Sequence, residues 1–461
     1  MPSPIPTRPP AMSLRTMLAY GVGQTGAQVF RDTPAVLLPV FLTTLLGVPA
    51  WLSGFVVLGP KLWVILCDPL MGAWSDRLKS RVGRAPFLLI GALLTALGFM
   101  GLFSFTGFSS PVMAAVAIGV LFALASTAFS AFSVPYLAVA AELSDDPHER
   151  TRILTWRVVF SVVGVILSVG LAQPLVFHLG GGPEGWRGMA LILGGLSLVT
   201  MLATPLGLHR QLRSAINSTA AAVATTGLAA GLRAARRNKP YLRLVCTHFI
   251  QSCSLACSYT MVAFIFIYAI GKIDLLLPFV LVMSAAALAA QPFWLGLSRR
   301  IGKRSAFLLA CAGWVGVTLS WLVVRPGTDV LLTLPFFGPL ASEHLWVLLR
   351  AVVIGITNSG FLLLMLSLLT DAIKRGDDEA GKDGPDDEGL LSGVFSAIEK
   401  LAFAVGPLLA GFALSLSGFA SSTTGMAQQS PQVVSSIVLL YSVVPAAGMV
   451  ISLLVFGLRR K

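Results

Sequence analysis

The chain has 461 residues, 56% of them hydrophobic and only 11% charged, with a net charge of +13 and a mean hydropathy of +0.83. Soluble proteins carry about 25% charged residues, so this composition cannot cover a water-facing surface and excludes an ordinary soluble domain. Apolar stretches of about twenty residues recur from end to end, each long enough to cross roughly 30 Å of hydrocarbon as a helix; they run continuously instead of alternating, which excludes a membrane β-barrel.

Twelve spans are predicted, at roughly 16–46, 51–75, 86–106, 111–142, 153–179, 186–208, 243–271, 275–298, 305–324, 345–371, 390–418 and 433–458. The fold class is therefore an all-α polytopic membrane protein. Residues 1–15 are polar and Pro-rich with no compact apolar stretch leading to a cleavage site, so the first span itself is expected to direct insertion. That span carries Gln24, Gln28 and Asp32 four apart, a polar stripe, with Arg31 alongside. The second holds Lys61 and Asp68 seven apart on one face and runs into Asp76 and Arg77. The fourth carries Ser133 and ends at Glu142; the fifth follows Arg150 and contains Arg157.

A basic linker, 209–242, divides six spans from six, and its partly helical pattern suits a membrane surface. The seventh span repeats polar positions at Thr247, Gln251, Ser254 and Ser258, with Tyr259 beside them. Cys246, Cys253 and Cys257 share a face there, without a carboxylate nearby, and read as packing residues. Arg350 and Asp371 mark the tenth span, an acidic Gly-rich loop fills 374–389, and the eleventh contains Glu399 and Lys400.

Orientation follows from the basic residues. One side receives Arg8, Arg15, Arg77, Lys79, Arg81, Arg84, Arg150, Arg152, the linker's bases, Arg299, Arg300, Lys303, Arg304, Lys374, Arg375, Lys382 and 459–461. The other side has Arg187, Lys272 and Arg325. Both termini are expected in the cytoplasm. The positive charge is thus a topology signal spread over short loops, and a nucleic-acid surface is not expected.

The halves echo each other. Asp68-Pro69 with Ser75, Arg77, Gly83 and Arg84 is mirrored by Gln291-Pro292 with Ser298, Arg299, Gly302 and Lys303. Duplicated six-helix halves are how many transporters build a mid-membrane substrate site. The expected organisation is a tail (1–15), two six-helix halves (16–208 and 243–458) around the linker, and a short C-terminal tail (459–461).

A charge at bilayer centre costs about 2.5–3.5 kcal/mol on insertion scales, so it persists where it pairs or faces a polar cavity. Asp68 and Asp32 are the candidate coupling carboxylates, because a buried carboxylate can make cargo binding depend on a cation. Gln24, Gln28, Arg157, Gln251 and Lys400 are candidates for the cargo. Arg31, Lys61, Asp76, Arg77, Glu142, Arg150 and Glu399 are candidates for gates or ion pairs. Interhelical hydrogen bonding is the competing reading of the Ser and Gln stripes. Neither a two-His zinc helix, a nucleophile elbow nor a Walker A loop is present, so no enzyme, metal or cofactor is expected.

These residues resemble the glycoside–pentoside–hexuronide:cation symporters, the melibiose permease-like branch of the major facilitator superfamily. The marks are Tyr20-Gly21 with Gly23, Asp68-Pro69 through Arg84, Val134-Pro135-Tyr136 with Glu142, Glu149-Arg150 with Arg152 and Arg157, and Glu388-Gly389 with Lys400, Gly406-Pro407 and Gly411. The resemblance implies a cation-site carboxylate at Asp68, a substrate-site base at Arg157 and a cavity-facing charge at Lys400. Three family carboxylates are replaced here, by Gln28, Val64 and Ser133, and the resemblance thereby adds Ser133 to the cargo candidates. A proton is therefore expected as coupling ion ahead of sodium, and two partners expected of a disaccharide have changed. The expected activity is symport of a sugar, glycoside or related small polar solute by a monomer in a bacterial inner membrane. The alternatives are a lysolipid-like cargo, or a non-transporting sensor or assembly factor.

Overall fold

The computed structural model describes residues 12–144, 146–214, 233, 235–325, 330–334, 338–380 and 388–457. Arg8, most of the basic linker, Lys382 with the centre of the acidic loop, and 459–461 lie outside the described residues. The first bundle runs α1 (Leu14–Thr44), α2 (Ala50–Val82), α3 (Ala85–Ser104), α4 (Pro111–Leu143), α5 (Pro147–Val165), α6 (Ala172–His178) and α7 (Gly182–Gly207), with a π-turn at Ile166–Leu171 joining α5 to α6. A short α8 (His209–Ser214) follows. The second bundle runs α9 (Lys239–Phe264), α10 (Leu276–Ala289), α11 (Gln291–Ile301), α12 (Lys303–Leu319), α13 (Ser342–Ala380), α14 (Glu388–Leu416) and α15 (Pro431–Gly457).

Local chemistry sets the ends. Ser13, Ser110, Asp146 and Asn238 cap α1, α4, α5 and α9 by accepting a backbone N–H in the first turn. Gly83 and Gly302 end α2 and α11 at φ 71° and 84°, a conformation that favours glycine. Pro69 sits inside an unbroken α2, whereas Pro292 opens α11 after a break at Ala290 that bends the pair by 44°.

Ten helices among the described residues are long and apolar enough to span a bilayer, and the bent α10–α11 pair makes an eleventh. α1 has the length, at 31 residues, but its polar stripe dilutes its apolar content. One strand pair departs from the purely helical expectation: Val330–Leu334 pairs antiparallel with Gly338–Ala341 between α12 and α13. Bulky apolar side chains such as Leu66, Leu124, Val199 and Leu454 face outward, which suits a bilayer as solvent.

α1 and α9, the first helices of their bundles, are the buried ones. Packing between bundles is close: a Cβ on Gly411 of α14 would stand 2.4 Å from the Ala50 carbonyl of α2. The bundles are also tied at the end that holds the α1–α2 turn. Ser422 N–H donates to Thr43 O at 2.8 Å, Ser421 Oγ to Val48 O at 2.9 Å, and His178 meets Asp274 at 3.1 Å.

Candidate substrate and coupling site

Five side chains form one hydrogen-bonded row along α1 and α5. Arg157 Nε donates to Gln24 Oε1 at 2.9 Å, Gln24 Nε2 to Gln28 Oε1 at 3.2 Å, and Gln28 Nε2 to Asp32 Oδ2 at 2.6 Å. Arg31 Nε closes the row on Asp32 Oδ1 at 3.2 Å. α5 reaches α1 because Gly164 has no side chain; a Cβ there would stand 2.4 Å from Gln28 Cβ. Ser161 Oγ, one turn beyond Arg157, donates to Gln28 Oε1 at 2.9 Å. The Arg157 guanidinium lies 5.8 Å from the Tyr136 ring, which stacks on Tyr20 at 4.6 Å. Those tyrosines also donate to each other's carbonyl oxygens, Tyr136 Oη at 2.8 Å. The buried Gln24 and Gln28 amides and the Asp32 carboxylate are fixed in place by these bonds.

The second constellation straddles the bundles. Asp68 of α2 accepts from Ser130 Oγ of α4 through one oxygen and pairs through the other with Lys400 Nζ of α14. Lys61, two turns earlier on the same face of α2, donates to the Phe403 carbonyl of α14 at 3.2 Å. Glu399 is half-buried and faces the charges of Arg31 and Lys400. Tyr259 of α9 stands beside Asp32 and Arg31. Arg31, Asp32, Lys61, Asp68, Glu399 and Lys400 therefore gather where α1, α2, α9 and α14 meet.

The remaining gate candidates lie elsewhere. Arg84 is buried at the far end of α2, where Nε reaches Glu142 at 2.9 Å, Nη1 Ser75 at 2.6 Å and Nη2 Asp76 at 2.7 Å. Lys79 adds a second cation to Glu142 at 2.8 Å. Arg150 donates to the Ser144 carbonyl at 3.2 Å, and Arg77 is exposed. Asp76 and Glu142 thus belong to a helix-end network, apart from the polar row.

Two cargo candidates stand away from the row. Ser133 is half-buried and makes no hydrogen bond among the described residues; Ser130, one turn earlier, is the α4 hydroxyl that meets Asp68. Gln251 is buried inside the second bundle, its Nε2 3.5 Å from Cys311 Sγ. Ser254 donates to the Ile250 carbonyl of its own helix. A cavity of about 50 Å³ opens in the same bundle between Tyr259, Trp314, Trp321 and Tyr441. Ser258 Oγ, Asn358 Oδ1 and Trp321 Nε1 border it without a hydrogen-bond partner. Among the described residues no group of three His, Cys, Asp or Glu is placed to hold a metal.

The sequence reading missed Ser130, Ser161, Asn358 and Trp321. Ser161 was legible, four residues after Arg157 on one helical face. Ser130 lies three before Ser133, so the helix and approximate face were right and the turn was not.

Residues 19–458 match the family described as MFS/sugar transport protein. The chain belongs to that family, the glycoside–pentoside–hexuronide:cation symporters of the major facilitator superfamily. It is similar to the inner membrane symporter YicJ of Escherichia coli (strain K12), 28% identical over 189 residues. That match covers 40% of each chain, so the chain spans about two fifths of this relative's length. The isoprimeverose transporter of Lactiplantibacillus pentosus is 23% identical over 436 residues, 93% of this chain and 85% of its own. The fold is that of the nucleoside transporter NupG, with a TM-score of 0.65 at 12% identity over 97% of this chain and 100% of that one. A bacterial homologue of the human lysosomal transporter Spinster, inward-facing and unoccupied, gives 0.64 at 14% identity over 96% and 95% of the two chains. The family and these neighbours are transporters, not enzymes. The protein is an integral, multi-pass membrane protein.

Proposed function

We propose that this protein is a proton-coupled symporter for a sugar, glycoside or related small polar solute, working by alternating access. The observation that carries the reading is Asp68, held between Ser130 of its own bundle and Lys400 of the other. Protonating Asp68 removes the negative charge that holds Lys400. The ion pair across the seam is then lost, and one bundle is free to rock against the other. The polar row of Gln24, Gln28, Asp32, Ser161 and Arg157 supplies donors and acceptors along two turns of α1, which suits a hydroxyl-rich cargo. The names of relatives that carry isoprimeverose and lactose support a sugar.

A proton is preferred over sodium on chemical grounds. A sodium ion needs several oxygen ligands, whereas Asp68 has one hydroxyl and one ammonium, with Val64 a turn away on α2. The bundles tie together at the end away from the basic junctions, which supports a state closed to the outside, both termini being cytoplasmic. Counting α1 and the bent pair, the chain crosses an inner membrane twelve times. Residues 16–208 and 243–458 act as the two rocking halves. The cleft is complete within one chain, so a monomer suffices. Neither an amphiphile cargo nor an assembly role gains support from this polar lining.

Uptake of radiolabelled glycosides into proteoliposomes under an imposed pH gradient or an imposed sodium gradient tests the reading. Accumulation is expected with the pH gradient alone. Accumulation with sodium alone would assign the coupling ion wrongly, and uptake indifferent to both would remove symport.

A further inference from the structure

We propose that a groove between α12 and α13, on the flank of the second bundle, holds one acidic phospholipid of the phosphatidylglycerol type, its phosphodiester clasped by Arg325 and Arg350. The lipid is a bound component and not the cargo, so the inference stands apart from the transport reading above.

The groove has a volume of about 550 Å³, inside the range of about 300–1,000 Å³ in which proteins hold small ligands. One wall is α12 with the 3-10 turn Ser320–Val323 that extends it, through Val317, Ser320 and Val323. The other is one face of α13, where Glu343, Trp346, Arg350 and Val353 recur at helical spacing. Both helices pack chiefly on members of their own bundle. Val323, Trp346 and Leu349 are 71%, 59% and 50% exposed at the rim, so the groove opens sideways to the bilayer, where acyl chains are the solvent.

Charges stand inside this apolar frame. Arg350 lies eight residues into α13, about 12 Å from its start at 1.5 Å per residue. Its Nε and Nη2 donate to Ser320 Oγ and O at 3.0 Å each, and its guanidinium lies 5.5 Å from the Trp321 ring. Nη1 has no hydrogen bond among the described residues, and neither arginine has an ion pair there. Arg84 is the contrast: Nε, Nη1 and Nη2 each have a partner within 2.9 Å, two of them carboxylates. A guanidinium held at that depth without an anion from the protein is retained where the membrane supplies one.

The charge balance selects the head group. Arg325 and Arg350 against Glu343 leave one positive charge in the groove. A phosphodiester carrying one negative charge neutralises it, and guanidinium forks match its oxygens. A zwitterionic head group brings its own cation and leaves the excess in place. Glu343, in the first turn of α13, is the acceptor for the hydroxyls of a glycerol head group. Basic pockets between membrane helices are head-group sites for this reason.

The test is native mass spectrometry of the full-length protein in detergent, titrated with dioleoyl phosphatidylglycerol or dioleoyl phosphatidylethanolamine, with the melting temperature read alongside. The wild type should retain one phosphatidylglycerol about tenfold more tightly than the ethanolamine lipid. Arg325→Gln should erase most of that preference and Arg325→Gln with Arg350→Gln all of it, whereas Arg350→Lys should keep part. Arg187→Gln, at another exposed base outside the basic junctions, should leave it intact. Val323→Trp keeps both arginines and fills the groove, so it should expel the lipid even if the double variant fails to fold. Equal retention of the two lipids would overturn the inference, as would retention unchanged in both Arg325→Gln and Val323→Trp. An equal rise in melting temperature with inorganic phosphate alone would make this an ion site and overturn the lipid. A dimer lost in Val323→Trp would make the face a contact between copies and also overturn it.

Discussion

The two helix-end junctions of the internal repeat share a sequence pattern and differ in construction. In the first, Asp68-Pro69 lies inside an unbroken α2, and the following Ser75, Asp76 and Lys79 lock onto Arg84 and Glu142 with side chains mostly 8–13% exposed. In the second, Gln291-Pro292 opens a helix bent by 44°, Ser298 bonds only its own helix among the described residues, and the Lys303–Asp371 pair is 43% and 39% exposed. Proline by itself does not decide whether a helix breaks. α2 is held on both sides, by α4 and by α14, and stays continuous; the second junction lacks such a polar clamp. The same pattern makes a rigid, charge-bearing rod in one half and a hinge-like corner in the other.

That contrast can be broken by substitution. Glu142→Ala leaves Arg84 and Lys79 buried without their shared anion, a defect that costs about 3–5 kcal/mol, so the melting temperature in detergent should fall sharply. An unchanged melting temperature would mean the first junction is no clamp. Asp68→Asn should lower gradient-driven uptake about a hundredfold, or roughly 2.7 kcal/mol, whereas Gln291→Ala at the mirrored position should leave uptake within about twofold. Ser130→Ala removes one hydrogen bond to Asp68, worth about 1 kcal/mol, and should reduce uptake several-fold without loss of folding. Asp371→Ala, at an exposed pair worth about 0–1 kcal/mol, should scarcely move the melting temperature. A large drop there would mean the second junction is clamped like the first.

Much of this was legible in the sequence. Continuous apolar runs gave the helices, and helical spacing placed Gln24, Gln28 and Asp32 on one face. Lys61 and Asp68, seven apart, do meet the same partner helix. Periodicity says which residues share a face but not what stands opposite, and there the reading ran out. Gln251 continued a polar stripe on α9 and proved to face Cys311 inside its own bundle. The π-turns at Ile166–Leu171 and Ile265–Ala269, and the strand pair beyond α12, have no clear local signal. The Arg84–Glu142 contact joins residues 58 apart, a separation closed by the packing of α4 against α3, which Arg84 opens, and against α2.

The central claim is that Asp68 exchanges a proton as cargo binds. The direct measurement is proton movement on adding a transported glycoside to de-energised proteoliposomes, comparing the wild type with Asp68→Asn. The account predicts net proton entry with the wild type and none with the variant, which should still bind cargo. Proton entry undiminished in Asp68→Asn would contradict it, and would move the coupling site to another carboxylate.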